Sequence, residues 1–137
     1  MSVNKEYINK LVEDVRDSIK AVLELTVKPY EQLSDTEKYV IRYHLIVIAE
    51  AITSLVLHVV RRVYGVKPET PIHALRLLRD KNIIGDNELN DLISLLRLRN
   101  LLEHRYRVID DKKIYENVKR DFRSVDKLIE EVSGTVE

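Results

Sequence analysis

The stretch "LIVIAEAITSLVLHVV", residues 45–60, is the most apolar run of the sequence and decides its fold. It is shorter than the roughly 20 apolar residues that a membrane-spanning helix needs. It also carries two polar side chains, Glu50 and His58. We therefore predict a buried helix in a soluble, cytoplasmic protein, with no membrane as a partner.

The helix that contains this stretch is predicted to be unusually long. The pattern "SDTE", Ser34 to Glu37, is typical of a capping box and sets its start. Gly65 sets its end just after Tyr64. About 29 residues would give a helix of roughly 43 Å. Because this helix is apolar on several faces, it needs partners on several faces, and we expect a second copy of the chain to supply some of them in a homodimer.

The rest of the chain also has helical periodicity, and no segment alternates long enough to predict a strand. Thr70 before Pro71 predicts the start of the third helix, and Asp86 is the expected cap of the fourth. The four helices beside the long one are predicted at residues 4–25, 71–81, 87–105 and from Asp110 or Asp111 onward. Residues 1–137 are thus expected to form a single all-α domain, a dimeric bundle of four to five helices.

Composition excludes some kinds of chemistry without selecting a partner. Lys plus Arg and Asp plus Glu both total 23, so the formal net charge is zero. Any nucleic-acid site must therefore come from local clustering of basic residues. The sequence has no cysteine, which rules out disulfides and thiolate chemistry. It has no glycine-rich phosphate loop and no H-E-x-x-H motif, so we predict neither a metal nor a cofactor.

The fourth helix changes from apolar to polar along one face. Its apolar arc contains Leu89, Leu92, Ile93 and Leu96. The same arc, continued toward the C-terminus, reaches Arg99, Asn100, Glu103 and His104. These polar side chains are therefore expected to face another helix or another subunit. Two interpretations remain open. In the first, the residues are structural, with Arg99 paired to Glu103 and with Asn100 and His104 hydrogen-bonded at the helix end. In the second, they form a chemical site.

The chemistry of these residues suits a phosphate. An arginine presents a planar set of donors to phosphate oxygens, and a histidine can exchange a proton near neutral pH. Four arginines surround the segment, at positions 97, 99, 105 and 107, against Glu103 alone. This locally basic patch favours RNA or a nucleotide. Glu50 is expected to pair with Arg99 across the bundle or to be a second polar member of the same cleft.

The remaining histidines have simpler interpretations. His44 and His58 are 14 residues apart and nearly in phase on the long helix. We predict that they are core or interface residues and not ligands. His73 is expected at the surface of the short third helix.

The segment "RNLLEHRY", residues 99–106, matches the pattern R-N-x-x-x-H-x-Y and resembles the HepT-like toxins (DUF86) of the HEPN superfamily. "EKYVIRYHLIVIAEAITSLVLHVV" is similar to the long second helix of that family, and "PETPIHALRLLRDKNII" to its short third helix. The resemblance covers about residues 37–132 and implies an all-α homodimer whose motif helices meet at a cleft. One departure is Arg97, where many members have glycine, and its charge and bulk are expected beside the cleft.

The resemblance also implies an activity and a partner. It makes the chain a metal-independent ribonuclease toxin in which Arg99 stabilises the scissile phosphate and His104 acts as general base or acid. By the same resemblance, Asn100 would orient the site, and Tyr106 would be the position that a minimal nucleotidyltransferase (MNT) antitoxin adenylylates. From their positions in the sequence, Glu103 and Glu50 are expected to support the site. The alternative is a non-catalytic dimeric helical module that binds a partner nucleotidyltransferase or a nucleotide.

Overall fold

The fold is a bundle of five α-helices in a computed structural model, which describes residues 3–104 and 108–136. The helices are α1 (Lys5–Leu25), α2 (Asp35–Val63), α3 (Pro71–Asp80), α4 (Asp86–His104) and α5 (Asp111–Val136). A short 3₁₀ turn, Tyr30–Gln32, lies between α1 and α2. The described ranges contain no strand, so the prediction of an all-α bundle is confirmed with five helices.

Helix α2 is the central element, and it packs against all four other helices. Ile48, Ile52, Leu55 and Val56 along it are completely buried. By length and composition α2 is apolar enough to cross a membrane, but half of its most apolar segment is covered by the rest of the chain. The other helices of one chain therefore cover about half of the most apolar segment of α2.

Most helix starts are where the sequence predicts them. The Ser34 hydroxyl accepts a hydrogen bond from the Glu37 N–H, and the Glu37 carboxylate accepts one from the Ser34 N–H, so the capping box is complete. Thr70 caps α3 through the N–H of residue 73. Of the two candidates for α5, Asp110 is the cap, because its carboxylate accepts from the N–H of residue 113.

The expected cap of α4 was wrong. Asp86 lies inside the first turn, and its carboxylate is 3.1 Å from Nη1 of Arg79. The carbonyl of Gly85 accepts the first helical hydrogen bond, from Leu89, and the Glu88 carboxylate accepts from the Gly85 N–H. The ion pair with Arg79 takes the carboxylate away from the helix end, and Glu88 satisfies the backbone in its place.

The two ends of α2 are connected to α5 and to α3. Arg42 donates from Nε and Nη2 to the two oxygens of Asp111 at 2.8 and 2.7 Å, which attaches α2 to the first turn of α5. This two-point contact raises the pKa of Arg42. At the other end the chain turns at Gly65, whose φ of 66° is in the left-handed region that favours glycine. From there the chain returns to begin α3 beside the middle of α2.

Candidate active site between helices α2, α3 and α4

A cleft of about 580 Å³ opens between α2, the start of α3 and the second half of α4. Helix α2 contributes Glu50, Thr53 and Ser54, and α4 contributes Leu96, Arg99 and Asn100. The N-terminal turn of α3 closes the third side. Of the polar end of α4, Arg99 and Asn100 thus face another helix of the same chain.

Arg99 is the centre of the polar contacts in this cleft. Its Nη2 lies 3.6 Å from Oε1 of Glu50 and 3.3 Å from Oε2 of Glu103, and its Nη1 donates to Oδ1 of Asn100 at 3.1 Å. The contact with Glu50 joins α4 to α2, which confirms that these two residues meet across the bundle. The Arg99 side chain is 34% exposed, so solvent still reaches the guanidinium.

One oxygen of Glu103 links the arginine to the histidine of the motif. Oε2 of Glu103 lies 3.3 Å from Nη2 of Arg99 and 3.9 Å from Nε2 of His104. The Glu103 carboxylate therefore pairs with Arg99 and lies near the imidazole of the next residue, at a distance too long for a hydrogen bond.

The guanidinium of Arg99 is not fully satisfied by these contacts. Its Nε is shielded from solvent and has no hydrogen-bond partner in the part of the chain that the structure describes. Most buried polar atoms in proteins are paired, so the unpaired Nε leaves Arg99 with a donor that the fold does not use.

The structure corrects two expectations about the motif. His104 is 74% exposed and does not pack on a helix of this chain, so only part of the polar cluster lies on the packed face. Among the described side chains Asn100 bonds Arg99 and not His104. Arg97 is exposed and does not line the cleft within one chain. Because Arg97 and Arg99 are two residues apart on a helix, their side chains point about 200° apart around the helix axis.

The predicted basic patch is accordingly divided. Arg99 faces the cleft and Arg97 faces away from it, whereas Arg105 and Arg107 lie outside the described residues. Tyr106, the expected modification position, lies there too. The roles assigned to Arg99, Asn100, Glu103, His104 and Glu50 remain predictions, although the structure brings all of them except His104 into direct contact with Arg99.

Sequence reasoning missed part of the cleft wall. Thr53 and Ser54 follow Glu50 by three and four residues, so helical spacing alone would have placed them on the same side of α2. Thr70 and Pro71 were recognised only as a helix start. Their position in the wall depends on how the chain returns after Gly65, which no local pattern reveals.

The other histidines bond within the fold. Nδ1 of His44 lies 3.0 Å from the Ser18 hydroxyl, and Nε2 of His58 accepts from the Asn4 N–H. Burial lowers the pKa of both imidazoles, with a contribution from Arg62 at His58. His73 is half-buried, not fully at the surface, and its Nδ1 accepts from the backbone of residue 69. Residues 3–104 and 108–136 contain no group of three acidic or histidine side chains placed to hold a metal.

The chain is thus an all-α bundle of five helices with an interhelical cleft that is lined by Arg99 and Asn100 of its fourth helix. The family model described as "Ribonuclease HepT-like" matches residues 12–132, and the chain belongs to this family. No curated protein matches the sequence.

Solved structures share the fold. YutE from Bacillus subtilis, described as a cytosolic protein of unknown function, superposes with a TM-score of 0.83 at 15% identity, over 98% of this chain and 92% of that one. A toxin–antitoxin with AMP-PNP gives 0.83 at 17% identity, over 94% and 98%. A mutant of the toxin–antitoxin MntA–HpeT gives 0.81 at 17%, over 93% and 98%. At these identities the likeness establishes the fold alone.

Proposed function

We propose that this chain is the toxin of a toxin–antitoxin pair, a metal-independent endoribonuclease that acts as a cytoplasmic homodimer. Membership of the HepT-like ribonuclease family supports RNA cleavage. The observation that carries the assignment is the position of Arg99 in the cleft, with one Glu103 oxygen 3.3 Å from its Nη2 and 3.9 Å from Nε2 of His104. The soluble bundle and the cytosolic description of YutE support the location.

The proposed chemistry uses the 2′-hydroxyl of the RNA as nucleophile. Its oxygen forms a bond to the adjacent phosphorus, and the bond from phosphorus to the 5′-oxygen of the next nucleotide breaks. His104 removes the proton of the 2′-hydroxyl as general base, or gives a proton to the leaving 5′-oxygen as general acid. Arg99 stabilises the charge that develops on the phosphoryl oxygens. Asn100 orients the guanidinium through its hydrogen bond.

Binding of substrate requires a rearrangement of the acidic side chains. Glu103 and Glu50 both contact Arg99. A phosphate that enters the cleft replaces these carboxylates on the guanidinium. The two glutamates therefore support the site by holding Arg99 in place before substrate arrives.

The proposed partner is a minimal nucleotidyltransferase antitoxin. The Tyr106 hydroxyl oxygen attacks the α-phosphorus of ATP, pyrophosphate leaves and the hydroxyl proton is released, so that AMP is attached through a phosphodiester. Structures of this fold crystallised as toxin–antitoxin complexes, one of them with AMP-PNP, support a partner of this kind. The bulky, negatively charged group would then stand two residues from His104 and compete with RNA.

A non-catalytic role remains the second candidate, and one observation favours it. The guanidinium of Arg99 already contacts two carboxylates and an amide, as expected of a structural ion-pair network. On this alternative, the chain is a dimeric helical module that binds a nucleotidyltransferase or a nucleotide.

Cleavage of RNA by the purified protein in EDTA distinguishes the two functions. The enzyme hypothesis expects cleavage by the wild type that disappears in His104→Ala. Because His104 is exposed, this variant should fold normally. Intact RNA after incubation with increasing concentrations of the wild-type protein would support the binding module.

A further inference from the structure

The cleft beside Arg99 continues along α2 beyond Ser54. A second recess of about 260 Å³ opens on the same helix and shares Ser54 with the cleft. The rest of its wall consists of Tyr7, Leu57, His58, Arg61 and Arg62. The two recesses therefore adjoin one another along the surface of a single helix.

Helix geometry shows that this surface is one continuous track. At about 100° per residue, Glu50, Ser54, Leu57 and Arg61 fall within an arc of roughly 60°. Eleven residues separate Glu50 from Arg61, which corresponds to about 16 Å along the axis. A chain that occupies the Arg99 cleft can thus follow α2 to Arg61 without crossing another helix.

The far end of the track has the two features that bind single-stranded nucleic acid. Arg61 is exposed and forms no ion pair within the described ranges. Tyr7 is 41% exposed, and its ring forms a T-shaped contact with the His58 ring, with centroids 5.2 Å apart. A cation for the phosphate and an aromatic surface for the base together form a single-strand site.

We infer that the recess of Tyr7 and Arg61 binds the RNA strand on one side of the scissile phosphate. Arg61 contacts a backbone phosphate and Tyr7 stacks on a base. This inference rests on the proposed function, because it takes the Arg99 cleft as the place where the same strand is cut. It assigns substrate binding to residues outside the R-N-x-x-x-H-x-Y motif.

The test measures binding of an uncleavable probe. A fluorescent, fully 2′-O-methylated oligoribonucleotide of about twelve nucleotides is titrated with the protein at several salt concentrations. Arg61→Gln should weaken binding at least about fivefold and reduce the slope of log affinity against log salt by about 0.7, as expected for the loss of one phosphate contact. Arg123→Gln, an exposed arginine on α5 away from both recesses, should leave affinity and slope unchanged.

The aromatic contact is tested with a matched pair of variants. Tyr7→Leu should lose at least about fivefold in affinity, which is the lower end of the range for one base–aromatic stack. Tyr7→Phe keeps the ring and should bind as the wild type does. Wild-type affinity in both Arg61→Gln and Tyr7→Leu, from a preparation that cleaves RNA, would overturn this inference and leave the proposed function standing. A wild type that neither binds the probe nor cleaves RNA would overturn both.

Discussion

Oε1 of Glu50 on α2 lies 3.6 Å from Nη2 of Arg99 on α4. This contact holds the proposed phosphate-binding arginine against a carboxylate from another helix. Both side chains remain partly exposed, with 53% of Glu50 and 34% of Arg99 accessible to solvent. The arginine is therefore preorganised, but an incoming phosphate must compete with an acid for it.

Removal of the Glu50 charge should strengthen RNA binding. We expect Glu50→Gln to raise affinity for the uncleavable oligonucleotide about two- to fivefold, because an exposed charge pair contributes modestly and its repulsion of phosphate is lost. Glu116→Gln, an exposed acid on α5, serves as the control and should have no effect. Weaker binding by Glu50→Gln would contradict this prediction and would mean that the support that the carboxylate gives to Arg99 outweighs its repulsion of phosphate.

Asp121 should make stability depend on pH. Its side chain is 14% exposed, and burial raises its pKa to about 6, with Arg120 opposing and Asp91 adding to the shift. Because the folded protein then holds the proton more tightly than the unfolded chain, this stabilisation is complete below about pH 4 and is lost as the pH rises through 6. At pH 7.5, where the carboxylate is charged, Asp121→Asn should be more stable than the wild type by roughly 1–2 kcal/mol.

Urea denaturation of both proteins across this pH range checks the prediction. The difference in the free energy of unfolding should shrink toward pH 4.5, where Asp121 carries its proton in the folded state. A difference that is constant with pH would show that Asp121 is charged throughout.

The chain should form a homodimer through α4 and part of α2. Tyr39, Val40 and Tyr43 near the start of α2 and Leu101 on α4 are large apolar or aromatic side chains that one copy leaves exposed. Light scattering at micromolar concentration should give twice the chain mass of 16.1 kDa. A particle of 16.1 kDa alone would contradict the dimer.

The sequence predicts local features of this fold better than it predicts contacts between distant segments. The caps Ser34 and Thr70 were found because their partners lie three residues away. Asp86 was misassigned because Arg79, brought near by the turn after α3, competes for its carboxylate. The cap of α4 thus depended on a contact with a residue outside the helix, which the local pattern does not include.

In the candidate site, too, local features could be predicted from the sequence and contacts between distant segments could not. The pairing of Arg99 with Glu103 follows from a spacing of four residues on a helix. The closing wall at Thr70 depends on the path of residues 65–70, and the exposure of His104 depends on where α4 ends relative to its neighbours. Both depend on tertiary structure, which the hydrophobic periodicity of the sequence does not predict.

Tyr106 should be modified by a cognate nucleotidyltransferase. After co-expression with that partner, intact-mass measurement should show a gain of one or more AMP units on the wild type, because the tyrosine hydroxyl is the proposed nucleophile of the transfer. Tyr106→Phe lacks the hydroxyl and should show no gain. Equal modification of the variant, or an unmodified wild type, would leave Tyr106 without this role.

The rate of RNA cleavage in EDTA by the wild type, Arg99→Ala and His104→Ala tests the central claim most directly. Circular dichroism and thermal unfolding of each variant accompany the assay and establish that the bundle is intact. The account predicts cleavage by the wild type and loss of at least about a hundredfold in rate in each folded variant. Cleavage at the wild-type rate by either folded variant would contradict the assignment of Arg99 and His104 as the catalytic pair.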